Sequence, residues 1–99
     1  MAWMLRITDT VPLANREAYG QKLNAVIDAL PAHIRHRGSF RVAFGKSLEF
    51  MHLLEFASLS DYEQAPPETW TEVVEAYENG LATDSRWEWM RVIREGASA

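Results

Sequence analysis

The stretch Leu48–Tyr62, LEFMHLLEFASLSDY, decides the fold, because the spacing of its apolar residues changes along it. Its first part alternates with a period of two, which predicts a strand whose one face carries Phe50, His52, Leu54 and Phe56. Ser58, with Asp61 three residues later, then offers a helix start of the capping-box type. A strand that leads directly into a helix is therefore predicted in the middle of the chain.

The residues before this stretch predict a strand, a helix and a second strand. Trp3–Asp9 alternates like a strand, whereas residues 12–30 place a helical stripe of Tyr19, Leu23, Val26, Ile27 and Leu30 on one side. The cationic run Arg35-His36-Arg37 suits the C-terminus of that helix. After Gly38 the second strand alternates through Phe40, Val42 and Phe44. A turn at Gly45–Ser47 would join it to the central strand in a hairpin.

The residues after this stretch predict a broken helix and a last strand. Pro66-Pro67 interrupts the helix, and its apolar stripe resumes with Trp70, Val73, Val74, Tyr77 and Leu81. Residues 86–94 alternate again, with Trp87, Trp89, Arg91 and Ile93 on one face. The order βαββαβ predicts an α+β, ferredoxin-like fold with a four-stranded antiparallel sheet and two helices on one face. Residues 1–99 form a single predicted domain.

The two faces of the predicted sheet differ in chemistry. The face assigned to the helices carries Trp3, Leu5, Ile7, Phe40, Val42, Phe44, Phe50, Leu54, Phe56, Trp87, Trp89 and Ile93. The other face carries Met4, Arg6, Thr8, Arg41, Ala43, Met51, Leu53, Glu55, Met90 and Val92, which is too apolar for a fully wet surface. We therefore expect a homodimer through this sheet face, in which Glu55 pairs with Arg6 or Arg41.

Composition excludes several classes of function. The 99 residues carry a formal charge of −4 with scattered cations, which disfavours binding of nucleic acid. The chain has no cysteine, and its apolar runs are too short to span a membrane, so we expect a cytoplasmic protein. His33 and His36 have no carboxylate on their face, which makes a metal site improbable. Nucleophile-elbow and glycine-rich phosphate-loop patterns are also missing.

The chain resembles the dimeric α/β-barrel superfamily from Met4-Leu5-Arg6-Ile7 to Met90-Arg91-Val92-Ile93. The segment Leu53–Tyr62 is similar to the strand-to-helix segment of antibiotic-biosynthesis monooxygenase-like and NIPSNAP-like members. The resemblance implies dimers packed sheet against sheet and a reaction cavity between each sheet and its helices. Haem-degrading members carry a histidine on the second helix, and Trp70–Leu81 has none, so this departure argues against haem. The resemblance to cofactor-free monooxygenases implies that no cofactor is needed.

By the predicted alternation, His52 and Arg91 both point toward that cavity. His52 is the candidate general base, because burial favours a neutral imidazole, and Arg91 is the candidate group that holds a phenolate, enolate or carboxylate. Aromatic side chains that would bind a planar substrate are Tyr19, Phe50, Tyr62, Trp70, Tyr77, Trp87 and Trp89. The same residues also have purely structural interpretations. His52 would then be a hydrogen-bonded core histidine, Arg91 an exposed strand-end cation, and the rings ordinary core.

Three functions are compatible with this pattern. The first is a cofactor-free monooxygenase-like enzyme that acts on an aromatic or polyketide-like molecule. The second is a non-oxidative cyclase, isomerase or dehydratase that uses the same cavity. The third is a ligand-binding or dimerisation module without catalysis, in which Phe50, Trp87 and Trp89 fill the space between sheet and helices. Trp70, beside Pro66-Pro67, is the candidate lid of the cavity.

Overall fold

The structure is a computed structural model that describes residues 2–43 and 48–94, without the side chains of residues 72, 76 and 77. Its strands are β1 (Trp3–Thr10), β2 (Ile34–Arg41), β3 (Glu49–Phe56) and β4 (Asp84–Arg91). Its α-helices are α1 (Arg16–Asp28), α2 (Leu59–Gln64) and α3 (Glu68–Glu78), and a 3-10 turn at Leu13–Asn15 precedes α1. The predicted order βαββαβ is confirmed, and the second helix is split at Pro66-Pro67 as expected.

The four strands form one antiparallel sheet in the order β2-β3-β1-β4. In this register Ile7 lies between His52 on β3 and Trp87 on β4, so these three side chains share a face. The helices cover that face, because Leu23 and Val26 of α1 and Val73 of α3 meet Ile7 there. The ferredoxin-like fold is thus confirmed, and its helix-covered face is the one predicted for β1, β3 and the first part of β4.

Among the described residues, two packed groups of buried side chains lie on the helix-covered face. One lies near the middle of the sheet and contains Leu5, Ile7, Ile34, Leu54, Phe56 and Ala65. The other lies at the end where α1 begins and contains Val11, Tyr19, Leu23 and Ala82. Tyr19 belongs to this second group although it carries a hydroxyl, and its hydroxyl therefore needs a buried partner.

Strand β2 departs from its prediction in position and in face. It begins at Ile34, so the run Arg35-His36-Arg37 lies in a strand and not at a helix end. A bulge between His36 and Gly38 shifts the register, which places Gly38 opposite Leu53. Gly38 has φ +147, and a Cβ there would lie 2.8 Å from the Phe40 ring. A bulge of one residue reverses the face of everything after it, and the sequence pattern alone does not reveal it.

The bulge explains two wrong assignments on β2. Phe40 pairs with Met51 and lies on the uncovered face, half exposed, whereas the prediction placed it toward the helices. Arg41 pairs with Phe50 on the helix-covered face, so it cannot meet Glu55 as predicted. Phe44 and the predicted turn at Gly45–Ser47 lie outside the described residues.

Two details at element ends also differ from the prediction. Ile93 lies beyond the end of β4 and is 87% exposed, so it does not belong to the helix-covered face. Helix α2 does follow Ser58, but the Ser58 side chain makes no capping hydrogen bond. Its hydroxyl contacts that of Ser60 at 2.8 Å, so the capping box is not formed.

The uncovered face of the sheet, called here the open face, carries ion pairs across its strands. The Arg6 guanidinium bonds the Glu88 carboxylate at 2.7 Å and holds the pKa of Glu88 below its usual value. Within the chain, the Glu55 carboxylate lies 3.7 Å from Arg37, and its predicted pairing with Arg6 across a dimer interface stays a prediction. Apolar side chains lie between these pairs, namely Met4, Phe40, Met51, Leu53 and Met90.

We expect the substitution Leu5→Ala to lower the free energy of unfolding by about 2–5 kcal/mol, because Leu5 is fully buried at the sheet centre and its removal leaves a cavity. Leu13→Ala is the matched control, since Leu13 is 67% exposed, and its expected change is within about 0.5 kcal/mol. Urea unfolding followed by circular dichroism measures both. Similar losses in the two variants would contradict the assigned core.

Candidate functional site

A continuous chain of polar side chains crosses the helix-covered face at the level of His52. The Tyr19 hydroxyl lies 2.5 Å from Asp9 Oδ2 and 2.7 Å from His52 Nε2. On the other side of the ring, His52 Nδ1 lies 2.7 Å from the Ser39 hydroxyl, which lies 2.8 Å from His36 Nε2. We call these five residues the polar chain. It joins four elements of the fold from the buried core to the edge strand.

Each member is positioned by the strand register and by the bulge in β2. Asp9 follows Ile7 on the same face of β1, and Tyr19 reaches both Asp9 and His52 from the first turns of α1. Ser39 pairs directly with His52 across β2 and β3. Without the bulge, His36 and Ser39 would point to opposite faces, because they are three residues apart. The irregular strand is therefore what completes the polar chain.

The inner members of the polar chain are buried, and its outer members are at least partly exposed to solvent. Asp9, Tyr19 and His52 are 3%, 1% and 5% exposed, whereas Ser39 lies on the surface and His36 is half-buried. Burial raises the pKa of Tyr19 far above its usual value, and the charge of Asp9 raises it further, so Tyr19 keeps its proton. Burial lowers the pKa of His52, with an opposing contribution from Asp9 and a reinforcing one from His36. His52 is therefore neutral at physiological pH.

The partners fix the direction of the hydrogen bonds. A carboxylate at Asp9 can only accept, so the single Tyr19 proton is donated to Asp9. The Tyr19 oxygen then accepts from His52, which places the ring proton on Nε2. The free lone pair of Nδ1 accepts from the Ser39 hydroxyl, which in turn accepts from His36 Nε2. Both ring nitrogens of His52 are satisfied, as the structural interpretation of this residue expects.

The space beside His52 is nearly filled. A void of about 10 Å³ lies between sheet and helices, walled by His52, Ile7 and Trp70 together with aliphatic side chains of α1 and α3. It has room for about one water molecule. A crevice of about 240 Å³, lined by Val73, Val74, Ser85 and Trp87, lies between α3 and β4. Val73 borders both spaces and separates the crevice from the void.

The predicted aromatic wall divides into two groups. Tyr19 and Phe50 lie beside His52, with ring centres 5.5 Å apart. Tyr62, Trp70 and Trp89 pack around Phe56, with neighbouring ring centres 5.1 to 6.3 Å apart. Trp87 packs against Trp70, with ring centres 5.7 Å apart. Trp70 and Trp87 also border the void and the crevice, respectively. Tyr77 lies in α3, and its side chain is outside the described residues.

The structure does not bring Arg91 to His52, so this part of the predicted site is wrong. Arg91 pairs with Trp3, and His52 with Ile7, which separates them by four residues or about 13 Å along the sheet. The exposed Arg91 guanidinium lies 5.8 Å from the Trp3 ring centre. Arg16 is a cation at the His52 end, 5.5 Å from the Phe50 ring centre, and its buried Nε has no hydrogen-bond partner among the residues that the structure describes.

The low pKa of His52 predicts how stability depends on pH. Its pKa lies below 6.5 in the folded chain, so the unfolded chain binds the proton more readily between the two values. Acidification below about pH 6.5 should therefore lower the free energy of unfolding, by at most about 1.4 kcal/mol per pH unit from this residue. Chemical unfolding between pH 5 and 8 measures the slope. It should be smaller in His52→Gln than in His33→Gln, and equal slopes would contradict the assignment.

Comparison with known proteins shows the fold. No protein-family model matches the sequence, and no curated protein matches it significantly. Solved structures do match, among them a candidate antibiotic biosynthesis monooxygenase from Deinococcus radiodurans, at a TM-score of 0.77 and 12% identity over 98% of both chains. A NIPSNAP-like domain protein from Burkholderia xenovorans matches at 0.72 and 16% identity, over 98% of this chain and 90% of that one.

A third match is a variant of SnoaB, a cofactor-independent oxygenase from Streptomyces nogalater, at a TM-score of 0.69 and 13% identity over 95% of both chains. The suspected fold relationship to monooxygenase-like and NIPSNAP-like proteins is thus confirmed. Within residues 2–43 and 48–94, no helix is long and apolar enough to cross a membrane. The same residues contain no group of three or more His, Asp or Glu side chains that could hold a metal ion.

Proposed function

We propose that this chain is a small-molecule enzyme of the cofactor-free monooxygenase-like kind, acting on an aromatic or polyketide-like substrate between sheet and helices. The observation that carries the proposal is a buried, neutral His52 in the wall of the space between sheet and helices, beside Trp70. A neutral imidazole can accept a proton from a phenol or enol. The fold shared with SnoaB, a cofactor-independent oxygenase, adds support by analogy.

Substrate entry requires the closed space to open. Ligand pockets usually measure about 300–1,000 Å³, far more than the void beside His52. The crevice between α3 and β4 leads toward it, with Val73 between the two. Ala65 is extended, and Pro66-Pro67 separates α2 from α3, so a small rotation of α3 at this point would displace Val73 and Trp70. These features support an entrance at the start of α3 as part of the proposal.

His52 must exchange one hydrogen-bond partner to act on a substrate. A substrate hydroxyl that takes the place of Tyr19 at Nε2 would find an acceptor there, provided that the ring proton is on Nδ1 and donated to Ser39. Tyr19 keeps its bond to Asp9 in this arrangement. Arg16 lies beside Phe50, and its Nε has no partner within residues 2–43 and 48–94, so it replaces Arg91 as the cation proposed to hold the resulting anion.

The electron-rich anion would then react with molecular oxygen. In the overall reaction a CH₂ group becomes a carbonyl, one oxygen atom of O₂ enters the product, and the other leaves as water with the two hydrogens. Anthrone is a suitable probe, because this reaction converts it to anthraquinone. The purified chain should accelerate anthraquinone formation in air and not under nitrogen. Equal rates with and without the protein would overturn the proposal.

The non-oxidative alternative uses the same proton acceptor. A cyclase, isomerase or dehydratase would turn over its substrate equally well under nitrogen, and the probe then is deuterium exchange into anthrone at its CH₂ group. Exchange without oxidation would favour this alternative.

A specific observation favours a second candidate, a binding or dimerisation module without catalysis. Both ring nitrogens of His52 are satisfied and the neighbouring void holds about one water. If the space stays closed, planar aromatic molecules will not alter the spectra of its lining residues. Nuclear magnetic resonance titration with anthraquinone decides this point, since shifts confined to residues around Trp70 and Trp87 require an open state.

We also propose that two copies pair through the open face. Its apolar side chains are flanked by ion pairs that join neighbouring strands. Because the face carries both cations and anions, a two-fold axis can bring the cations of one copy opposite the anions of the other. The native chain should therefore sediment at about twice its 11.3 kDa mass. Leu53→Lys should give monomers, because pairing would bury an unpartnered charge. Leu59→Lys, at an exposed position of α2, should remain dimeric. A monomeric native chain would contradict this proposal.

A further inference from the structure

We infer that Ser39 and His36 form a proton relay between His52 and the surface. The relay is the outer half of the polar chain, and its three groups follow one another at 2.7 and 2.8 Å. His52 itself is 5% exposed and is closed off from solvent by the helices. Ser39 and His36 lie on the edge strand β2, so a proton can travel from the core to water through one hydroxyl and one imidazole.

The hydroxyl of Ser39 is suited to this task because it donates one proton and accepts others. For a proton to reach His52, His36 first takes a proton from water at Nδ1. It then donates its Nε2 proton to the Ser39 oxygen while Ser39 passes its own proton to His52 Nδ1, which returns His36 to its neutral form. The net change is one proton from solvent to His52, which becomes an imidazolium, and no other group changes its charge.

Release follows the same path in reverse. His52 gives the Nδ1 proton to Ser39, Ser39 gives its own to His36 Nε2, and His36 loses its Nδ1 proton to water. During this exchange Tyr19 and Asp9 hold the Nε2 side of the ring in place. The inner half of the polar chain thus fixes the imidazole, and the outer half is the route for protons.

The surroundings of His52 favour this route over a direct one. Within the described residues, the groups whose charge or hydrogen bonds act on its ring are Asp9 on β1, Tyr19 on α1 and His36 on β2, and Arg16 lies farther out, over the Phe50 ring. From α3 His52 meets the apolar Trp70 and Val73. Of the groups that act on the ring, His36 is the one that is partly exposed at the surface. The bulge at Gly38 is what places its ring beside Ser39.

The catalytic use of the relay rests on the proposed function, because a base that takes a proton from each substrate must return it to water. Ser39 and His36 would then be positioning residues, which touch no substrate. The existence of the relay does not depend on any substrate. It can therefore be measured separately, and failure of the anthrone assay would leave that measurement unaffected.

The test measures how fast His52 exchanges between its neutral and cationic forms. The full chain is labelled with nitrogen-15, and relaxation dispersion of the ring nitrogens is recorded one to two pH units above the titration midpoint of His52. At this pH a few per cent of the His52 rings are cationic, which is enough for the measurement. Because His52 stays neutral in most molecules, the protein remains folded. We expect Ser39→Ala to slow the exchange at least tenfold, and Ser39→Thr, which restores a hydroxyl, to exchange like the native chain.

A purely structural role of Ser39 predicts the opposite direction. Loss of a structural contact would loosen the core, admit water and make the exchange faster. Ser60→Ala, another exposed serine whose hydroxyl bonds a neighbour, is the matched control and should exchange at the native rate. His36→Gln should slow the exchange as Ser39→Ala does. Exchange in Ser39→Ala that is as fast as in the native chain, or faster, would overturn the relay.

Discussion

His52→Gln is expected to lower kcat/KM for anthrone oxidation by about 10²–10⁴-fold, the usual contribution of a positioned proton acceptor. Glutamine retains a donor and an acceptor for Tyr19 and Ser39, so the polar chain keeps partners, but an amide does not accept a proton at neutral pH. The loss should therefore appear without a large change in fold. Oxygen consumption and anthraquinone absorbance give two independent measures of the rate.

The matched control for this variant is His33→Gln. His33 is exposed, directly precedes β2 and contacts the Asp61 backbone carbonyl. It lies at the Phe56 end of β3, four residues along that strand from His52. It should oxidise anthrone at the native rate. Thermal melting of both variants sets a temperature at which they are folded. Native-like oxidation by His52→Gln at that temperature would remove His52 from the reaction.

Tyr19→Phe is expected to lower the free energy of unfolding by about 3–5 kcal/mol, which is large for the loss of one oxygen atom. The reason is that Asp9 and His52 both lose their partner while they remain buried. Tyr62→Phe is the matched control, since no hydrogen bond of the Tyr62 hydroxyl is seen within the described residues and its ring packs against Phe56. Its expected change is within about 0.5 kcal/mol.

A double variant distinguishes the buried charge from lost packing. Asp9→Val combined with Tyr19→Phe removes the carboxylate together with the hydroxyl, and replacement of both partners by apolar groups costs less than removal of one. The double variant should therefore be more stable than Tyr19→Phe alone. Urea unfolding at pH 7 measures the double variant and the two single variants, Tyr19→Phe and Asp9→Val. If the two losses simply add, the assigned hydrogen bond between Asp9 and Tyr19 is wrong.

Much of the fold follows from spacing in the sequence. The alternation around His52 and the break at Pro66-Pro67 correctly predicted β3 and the split between α2 and α3. Strand β2 did not follow, because its bulge adds one residue between His36 and Gly38. Glycine at position 38 was the available signal, since a strand glycine often marks a bulge.

The sequence predicted which candidate side chains point toward the core, but it did not predict which of them lie close together. Alternation placed His52 and Tyr19 correctly toward the core, but it does not measure how far along the sheet two residues lie. Arg91 was therefore assigned to the wrong end. Asp9 was missed, although it continues the buried face of β1 after Ile7, and a buried carboxylate requires a donor. Ser39 was hidden by the bulge, so no regular pattern could have found it.

The central claim is that His52 is a neutral imidazole whose proton is on Nε2, held there by Tyr19 and Asp9. Long-range nitrogen-15 and proton correlation spectra of the native chain at pH 7 measure it most directly, because the two ring nitrogens have distinct shifts in each protonation state. The claim predicts a protonated Nε2 and an unprotonated Nδ1 in the absence of substrate. A cationic ring, or a neutral ring protonated on Nδ1, would contradict it.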